Sequence, residues 1–398
     1  MKIAVPKEIA DGERRVALVP DTVGRMVKGG MEVLIESGAG VEALSSDQAY
    51  LDAGATIIDD TLLLYEQADV VLKIQAPIMN ETIGHHEADM IREGANVIAL
   101  LQPLVNFLPV QRLALRGVTA FSMDAIPRIA RAQSMDALTS MASIAGYKAV
   151  LTAADSLGRF MPMLVTAAGT LAPARGLVLG AGVAGLQAIA TGRRLGAVMS
   201  AFDVRSAVSE QVKSLGATFI GDQTIVEEAE QETGYAKELS GASQQRERDL
   251  IHEHAQTMDF VVATAAVPGS TAPLLISKEM VKAMRPGSVI VDVAAETGGN
   301  CELTKPGSTI VEHGVTIDGP INIASSMPVH ASQMYSRNIS TLLSHLVDDG
   351  RIVLDFDDEI TKGCCITHEG NIVQEGTLAA NNARSGSAKS ETPQVRQL

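Results

Sequence analysis

Apolar residues in the first third of the chain fall in short runs, at 3–5, 32–35, 56–58, 70–74, 97–101 and 118–121. Each run is shorter than a stable helix and ends in turn-forming or polar residues, so each reads as a buried strand. Between them lie helix signals, such as Asp21 to Lys28 after Pro20. Strand and helix in alternation predict a parallel sheet with helices on both faces. A second block starts at Gly176, with strands expected at 177–179, 198–202, 260–264, 288–293 and 315–317. Two longer stretches, 134–156 and 329–346, read as helices; the first sets Leu138, Met141, Ala142, Ala145 and Ala149 at helical spacing. They are expected to carry the chain between two domains. The first domain is then discontinuous, 1–140 plus 328–376, and the second is 141–327. Residues 377–398, rich in Ala, Asn, Ser and Gly, read as a disordered tail.

The second block opens on a motif with chemistry in it. The apolar run Gly176-Leu177-Val178-Leu179 leads into Gly180-Ala181-Gly182-Val183-Ala184-Gly185, then a helical stretch, then a strand closed by Asp203. That is the order of a dinucleotide-binding unit. Gly180 permits the tight turn, Gly182 lets the backbone approach a pyrophosphate, and Gly185 lets the helix pack close to the strand. The helix N-terminus offers free N–H groups to phosphate. Asp203 stands 18 residues past the last glycine, close to where a carboxylate accepts from a ribose hydroxyl. The plainer alternative is a glycine-rich turn in an ordinary core, with Asp203 a solvated strand end. With the nucleotide reading, the fold class is α/β: two Rossmann-like parallel-sheet domains joined by two crossing helices.

Two further segments stand out. Between residues 218 and 259 lies a long polar insertion, which reads as a lid over a bound ligand or as a solvated acidic helix. The apolar run 160–169, bounded by Gly158 and Gly169, reads as a hairpin arm packed on a second copy of the chain, or as an internal strand.

Composition narrows the classes. The 398 residues carry a formal net charge of −15 with no basic stripe, which disfavours nucleic acid. No tryptophan is present, and aromatic content of 3% leaves little for base stacking. Cys301, Cys364 and Cys365 form an odd, partly adjacent set without CxxC spacing, the pattern of a reduced compartment. The eight histidines lack ligand spacing, so no metal site is expected. Uncharged windows at 160–174, 176–192 and 260–277 are broken by Gly, Pro, Ser or Thr, so no membrane span is expected. The N-terminal residues lack the apolar region of a signal peptide.

Three motifs carry a resemblance. The run Val5-Pro6-Lys7-Glu8, followed by Gly12-Glu13-Arg14-Arg15-Val16-Ala17-Leu18-Val19-Pro20, is similar to the superfamily of alanine dehydrogenases and the NAD(H)-binding component, domain I, of proton-translocating nicotinamide nucleotide transhydrogenases. The stretch from Gly287 to Asn300 strengthens it. The run from Pro127 to Leu138 resembles the transhydrogenase branch in particular. An amino-acid dehydrogenase needs a proton shuttle beside its oxo acid. Where the dehydrogenases' His would fall the chain reads Gln102, and where their Asp would fall it has Glu296. Gln does not titrate near neutrality. Arg15 and Lys73, which in the dehydrogenases would hold the oxo acid, are read here as structural ion-pair partners.

The resemblance implies a division of labour. Arg128, Gln133, Ser134, Met135, Asp136 and Thr139 would contact the nicotinamide, with Gln133, Arg128 and Asp136 positioning it for reaction. Arg128 and Asp136 would pair beside the ring, or else merely cap the helix that follows. Gly180, Gly182, Val183 and Gly185 would hold the pyrophosphate, and Asp203, Val204 and Arg205 would flank the adenosine ribose. Ala266 would meet the ribose–nicotinamide end, and Gly234 and Tyr235 would tip a mobile loop. Asp203 repels a 2′-phosphate, which favours NAD(H) over NADP(H), while Arg205 argues the other way. The expected function is the NAD(H)-binding soluble subunit of a proton-translocating transhydrogenase. Hydride would pass directly to NADP+ held on a partner subunit. The expected partners are a second copy of the chain, the NADP(H)-binding subunit and the membrane-spanning subunits, with the protein cytoplasmic and attached to the membrane through them. The alternatives are an alanine dehydrogenase-like oxidoreductase and a non-catalytic NAD(H)-binding module.

Overall fold

The computed structural model describes residues 1–221, 241–267 and 269–390, with side chains as far as residue 382. The chain forms two compact units, one of residues 1–140 with 325–398 and one of residues 141–324.

The first unit is built on an eight-stranded sheet. Its order runs Asn371–Ile372, Cys365–His368, Thr119–Ser122, Asn96–Leu100, Val70–Gln75, Lys2–Val5, Glu32–Glu36 and Thr56–Ile58. The strands from Lys2 to Ser122 pair in parallel. Cys365–His368 and Asn371–Ile372 add an antiparallel edge that the early strand pattern did not predict. Val70–Gln75 shows why the central strands read as largely apolar runs. Helices cover both faces, so every residue but the last is buried, Lys73 among them.

The second unit holds a seven-stranded sheet in the order Thr218–Ile220, Val198–Phe202, Arg175–Leu179, Phe260–Ala263, Val289–Asp292, Val315–Gly319 and Ser308–Glu312. All pairings are parallel except the last. Two apolar layers pack on its two sides. One contains Val178, Ile189, Met199 and Val262; the other Leu177, Leu179, Val261 and Ile290. Alternate residues of one strand thus feed opposite cores. Both sheets are therefore mixed at one edge and parallel through the middle.

The first long helix is Ala137–Ser156, and the boundary between the units falls within it, after Ser140. The second, Pro328–Leu346, lies wholly in the first unit, because the chain returns just before it, at Ser325. Proline at its first turn suits an N-terminus, where the missing N–H has no partner to lose. The tail differs from expectation. Glu375–Ser390 is helical, where a disordered segment from 377 was expected. Thr377, Leu378, Ala379 and Ala380 follow Glu375 and Gly376 in it, the Gln374 side chain accepts from Thr377 N at 2.7 Å, and Gln111 donates to Asn381 at 3.2 Å. Alanine and leucine favour a helix once its first turn is capped. Among the described residues no helix is long and apolar enough to cross a membrane.

Candidate functional site

In the second unit the strand order reverses between Arg175–Leu179 and Phe260–Ala263. Loops at the carboxyl ends of such a pair diverge and leave a crevice, the usual ligand position in open α/β sheets. Both loops carry candidate residues.

The first is the glycine turn. Gly180 has φ +89°, a conformation that strains any residue with a Cβ. Gly185 is shut in: a Cβ there would lie 1.9 Å from the Gly180 carbonyl oxygen. Gly182 is open, with only an Arg205 nitrogen 3.8 Å from its Cβ position. It stands at the N-cap of helix Val183–Arg194 and supplies no capping side chain. Val183, in the first turn, is 39% exposed. An uncapped, accessible helix start beside an open glycine fits an anionic pyrophosphate. A contact that the sequence does not signal supports this turn. A Cβ at Gly146, inside helix Ala137–Ser156, would lie 1.9 Å from the Ala184 carbonyl oxygen.

Asp203 is buried and its carboxylate is fully engaged. One oxygen accepts from Ala181 N at 2.7 Å and the Arg205 guanidinium at 2.8 Å. The other accepts from Arg205 N and Nε, both at 2.9 Å. Asp203 therefore ties the glycine turn to Arg205, and a ribose hydroxyl must displace part of that fork to reach it. Arg205 in turn has its charge balanced within the chain. Val204 packs against the apolar layer under the sheet.

Ala266 is exposed on the loop after Phe260–Ala263. Buried Asn300 shapes that loop: its amide donates to Ala265 O and Pro273 O, both at 2.8 Å, and its carbonyl accepts from Ala265 N at 3.0 Å. Asp292, fully buried, accepts from Asn300 N, Cys301 N and the Thr304 hydroxyl at 2.6–2.9 Å. The sequence signal for this pair is the stretch 287–300 itself, which carries it only as resemblance. Gly234 and Tyr235 lie outside the described residues.

The remaining candidates belong to the first unit. Ala130–Met135 is a 3-10 turn leading into helix Ala137–Ser156. Ala132 and Met135 are buried and hold the turn down, while Arg128, Gln133, Ser134 and Thr139 are exposed. Met135 thus presents no open side chain. Asp136 accepts from Thr139 N at 2.8 Å and the Thr139 hydroxyl at 2.6 Å, so it caps the helix. The structure brings Asp136 and Thr139 together and leaves Gln133 facing outward.

Arg15 and Lys73 are locked into buried ionic contacts. Arg15 forks onto Glu13 at 2.7 and 2.5 Å, and Gln75 donates to the same carboxylate at 2.8 Å. Lys73 lies 2.7 Å from Glu87 and 3.3 Å from Glu8, and the Tyr65 hydroxyl donates to Glu87 at 2.8 Å. Burial raises the Glu8 carboxyl despite Lys73 beside it. Burial also pushes Glu13 upward, but the hydrogen bonds and charge of Arg15 outweigh it and hold Glu13 at about 2. Because that lies below its ordinary 4.5, Glu13 contributes stability that is complete above pH 4.5 and is lost as pH falls toward 2. Glu13→Gln should lower the stability of the first unit by about 3 kcal/mol at neutral pH. Chemical denaturation at pH 7 and pH 3 should show the difference between mutant and wild type shrinking in acid. Gln102 adopts φ +49° with its side chain exposed, and Glu296 accepts from Asn322 N at 2.5 Å.

Comparison with known proteins agrees along nearly the whole chain. Residues 4–145 match the model for the alanine dehydrogenase/PNT N-terminal domain, and residues 149–375 the C-terminal domain. The chain is 46% identical over 376 residues to the first-part polypeptide of NAD(P) transhydrogenase subunit alpha from Rhodospirillum rubrum, covering 94% of this chain and 98% of that one. The crystal structure of transhydrogenase from Sinorhizobium meliloti superposes with a TM-score of 0.83 at 41% identity, covering 94% of this chain and 100% of that one. An L-alanine dehydrogenase structure superposes with a TM-score of 0.79 at 26% identity, covering 96% and 99%.

Proposed function

The chain belongs to the alanine dehydrogenase/PNT family and carries the NAD(H)-binding part of an NAD(P) transhydrogenase alpha subunit, and on that premise we propose that it binds NAD(H) and supplies the NAD(H) half of a hydride exchange. The observation that carries this reading is the glycine turn at the sheet's switch point, with an open Gly182 and an uncapped helix start. In this reading Gly180, Gly182, Val183 and Gly185 form the pyrophosphate cradle. Arg128, Gln133, Ser134, Asp136 and Thr139 grip the nicotinamide. The reduced nicotinamide supplies a hydride from its C4 carbon directly to an oxidised one, so no protein group need move a proton. What the chain must do is hold the ring and keep water out. Gln102, Glu296 bound to a backbone amide, and Arg15 and Lys73 locked in ion pairs all suit a subunit without an oxo-acid reaction.

The Asp203–Arg205 pair supports NAD(H) over NADP(H). With Arg205 forked onto Asp203, the pair presents no net charge to a 2′-phosphate. Asp203→Ala should weaken NADH binding by about 1–3 kcal/mol, because Ala181 N loses its acceptor and the turn its tie to Arg205. The same change removes the negative charge that opposes a 2′-phosphate and should raise NADPH affinity. Fluorescence titration with both nucleotides checks it; equal wild-type affinity for NADH and NADPH would remove the assignment.

NADP(H) and the proton path belong, in this proposal, to partner subunits, and the protein sits in the cytoplasm against the membrane through them. A second copy of the chain completes the assembly. Leu164–Thr166 and Gly169–Leu171 form an antiparallel hairpin that exposes Val165 by 77% and Leu171 by 48%, with Met163 just before it exposed by 59%. Apolar area of this kind marks an interface. Sedimentation at micromolar concentration should give a dimer, and a Val165→Glu variant should shift it toward monomer.

A further inference from the structure

Gln133 sits in a short turn with its side chain in the open, yet the turn is tied down shortly before it and immediately after it. Before it, Arg131 reaches Asp358 at 2.8 Å. After it, the Ser134 carbonyl accepts from the Asn338 amide at 2.8 Å. Asn338 is buried in helix Pro328–Leu346. His345 lies two turns further on the same helix, at i+7, and so shares its face. Its Nε2 is 2.9 Å from the second oxygen of Asp358, which also caps helix Glu359–Cys364 through Thr361 N at 2.9 Å. That helix packs closely on the segment before the turn, where a Cβ at Gly363 would lie 3.2 Å from Pro127. Helix face, capping carboxylate and turn thus form one connected set.

We propose that Arg131, Asp358 and Asn338 are positioning residues for the hydride step, a bracket that fixes the backbone around Gln133 without touching nucleotide. The inference rests on the reading of Gln133 as a nicotinamide contact. Its energetic logic is specific. Arg131 is 60% exposed, and an exposed ion pair contributes little to stability. Its value lies in geometry. A short lever from Arg131 to Gln133 converts a small displacement into a misplaced amide, and reaction rate is steep in position.

The test uses the full chain with the NADP(H)-binding partner of a transhydrogenase, and stopped-flow measurement of the hydride step. Arg131→Ala should lower that step about tenfold, with NADH affinity within about twofold of wild type and unchanged thermal unfolding. Arg131→Lys restores a cationic donor and should recover most of the rate. Asn338→Leu should give the same split between rate and affinity from the other side of the bracket. Wild-type hydride rates in both Arg131→Ala and Asn338→Leu, beside a slow Gln133→Asn, overturn the bracket and leave the reading of Gln133 standing. A wild-type rate in Gln133→Asn overturns that reading itself.

Discussion

Gln133→Asn should slow hydride transfer about a hundredfold while NADH affinity stays within about twofold of wild type. The substitution keeps the amide and retracts it by one CH₂. Gln133 is exposed in the turn Ala130–Met135, so the change opens no cavity and the fold is unaffected. The proposed pyrophosphate and ribose contacts are made by other residues and persist. What changes is the placement of a ring against its reaction partner, and misplacement by about 1 Å can cost on the order of 10²-fold. Because an amide does not titrate, the pH profile of the residual rate should match that of wild type. Stopped-flow transfer with the NADP(H)-binding partner measures the step directly. A wild-type rate in this variant would move the nicotinamide away from Gln133 and withdraw the roles given to Arg128 and Asp136.

The second large effect separates the glycines of the turn. Gly185→Ala places a Cβ 1.9 Å from Gly180 O, 2.9 Å from its carbonyl carbon and 3.1 Å from Val178 Cγ1. The nearest obstacle is backbone, which cannot swing aside as a side chain would. The helix must lift from the strand, at a cost of about 3 kcal/mol, and the displaced turn should lose NADH binding. Gly182→Ala meets only the flexible end of Arg205 at 3.8 Å. It should fold with near wild-type stability and still bind NADH weakly, because the added methyl occupies the approach reserved for phosphate. Denaturant titration with NADH fluorescence on both variants resolves the two roles. Normal NADH affinity in Gly182→Ala would mean that the turn does not cradle a pyrophosphate.

How much of this is legible in the sequence depends on whether the signal is local. The glycine turn is readable because strand, turn, helix and acid follow one another within one supersecondary unit. The central strands are readable because burial on both faces leaves uninterrupted apolar runs, as in Phe260–Ala263. Gly146 is not, since a glycine in a helix looks the same whether or not another backbone crosses it. The antiparallel edge at Cys365–His368 escapes the pattern because it pairs with Thr119–Ser122, more than two hundred residues away. Spacing puts the Asp203 carboxylate at the end of its strand, but its full set of partners depends on how Arg205 folds back, which spacing does not encode. Lys73 and Arg15 are readable as ion-pair partners only in kind; Glu8 and Glu87 converge on Lys73 from distant segments, while Glu13 grips Arg15 from two residues away. Composition misleads at the tail, because a capped Ala-rich turn can form a helix in a segment that lacks an amphipathic pattern.

The central claim is that this chain carries the NAD(H) half of a transhydrogenation and performs no oxo-acid chemistry of its own. The direct measurement is hydride transfer after mixing the purified chain with the NADP(H)-binding subunit of a transhydrogenase, run beside NADH oxidation with pyruvate and ammonia. Rapid transfer between the two nucleotides is expected in the mixture, with none by either protein alone and no turnover of pyruvate. Reductive amination of pyruvate by the chain alone, with no transfer in the mixture, would contradict the claim.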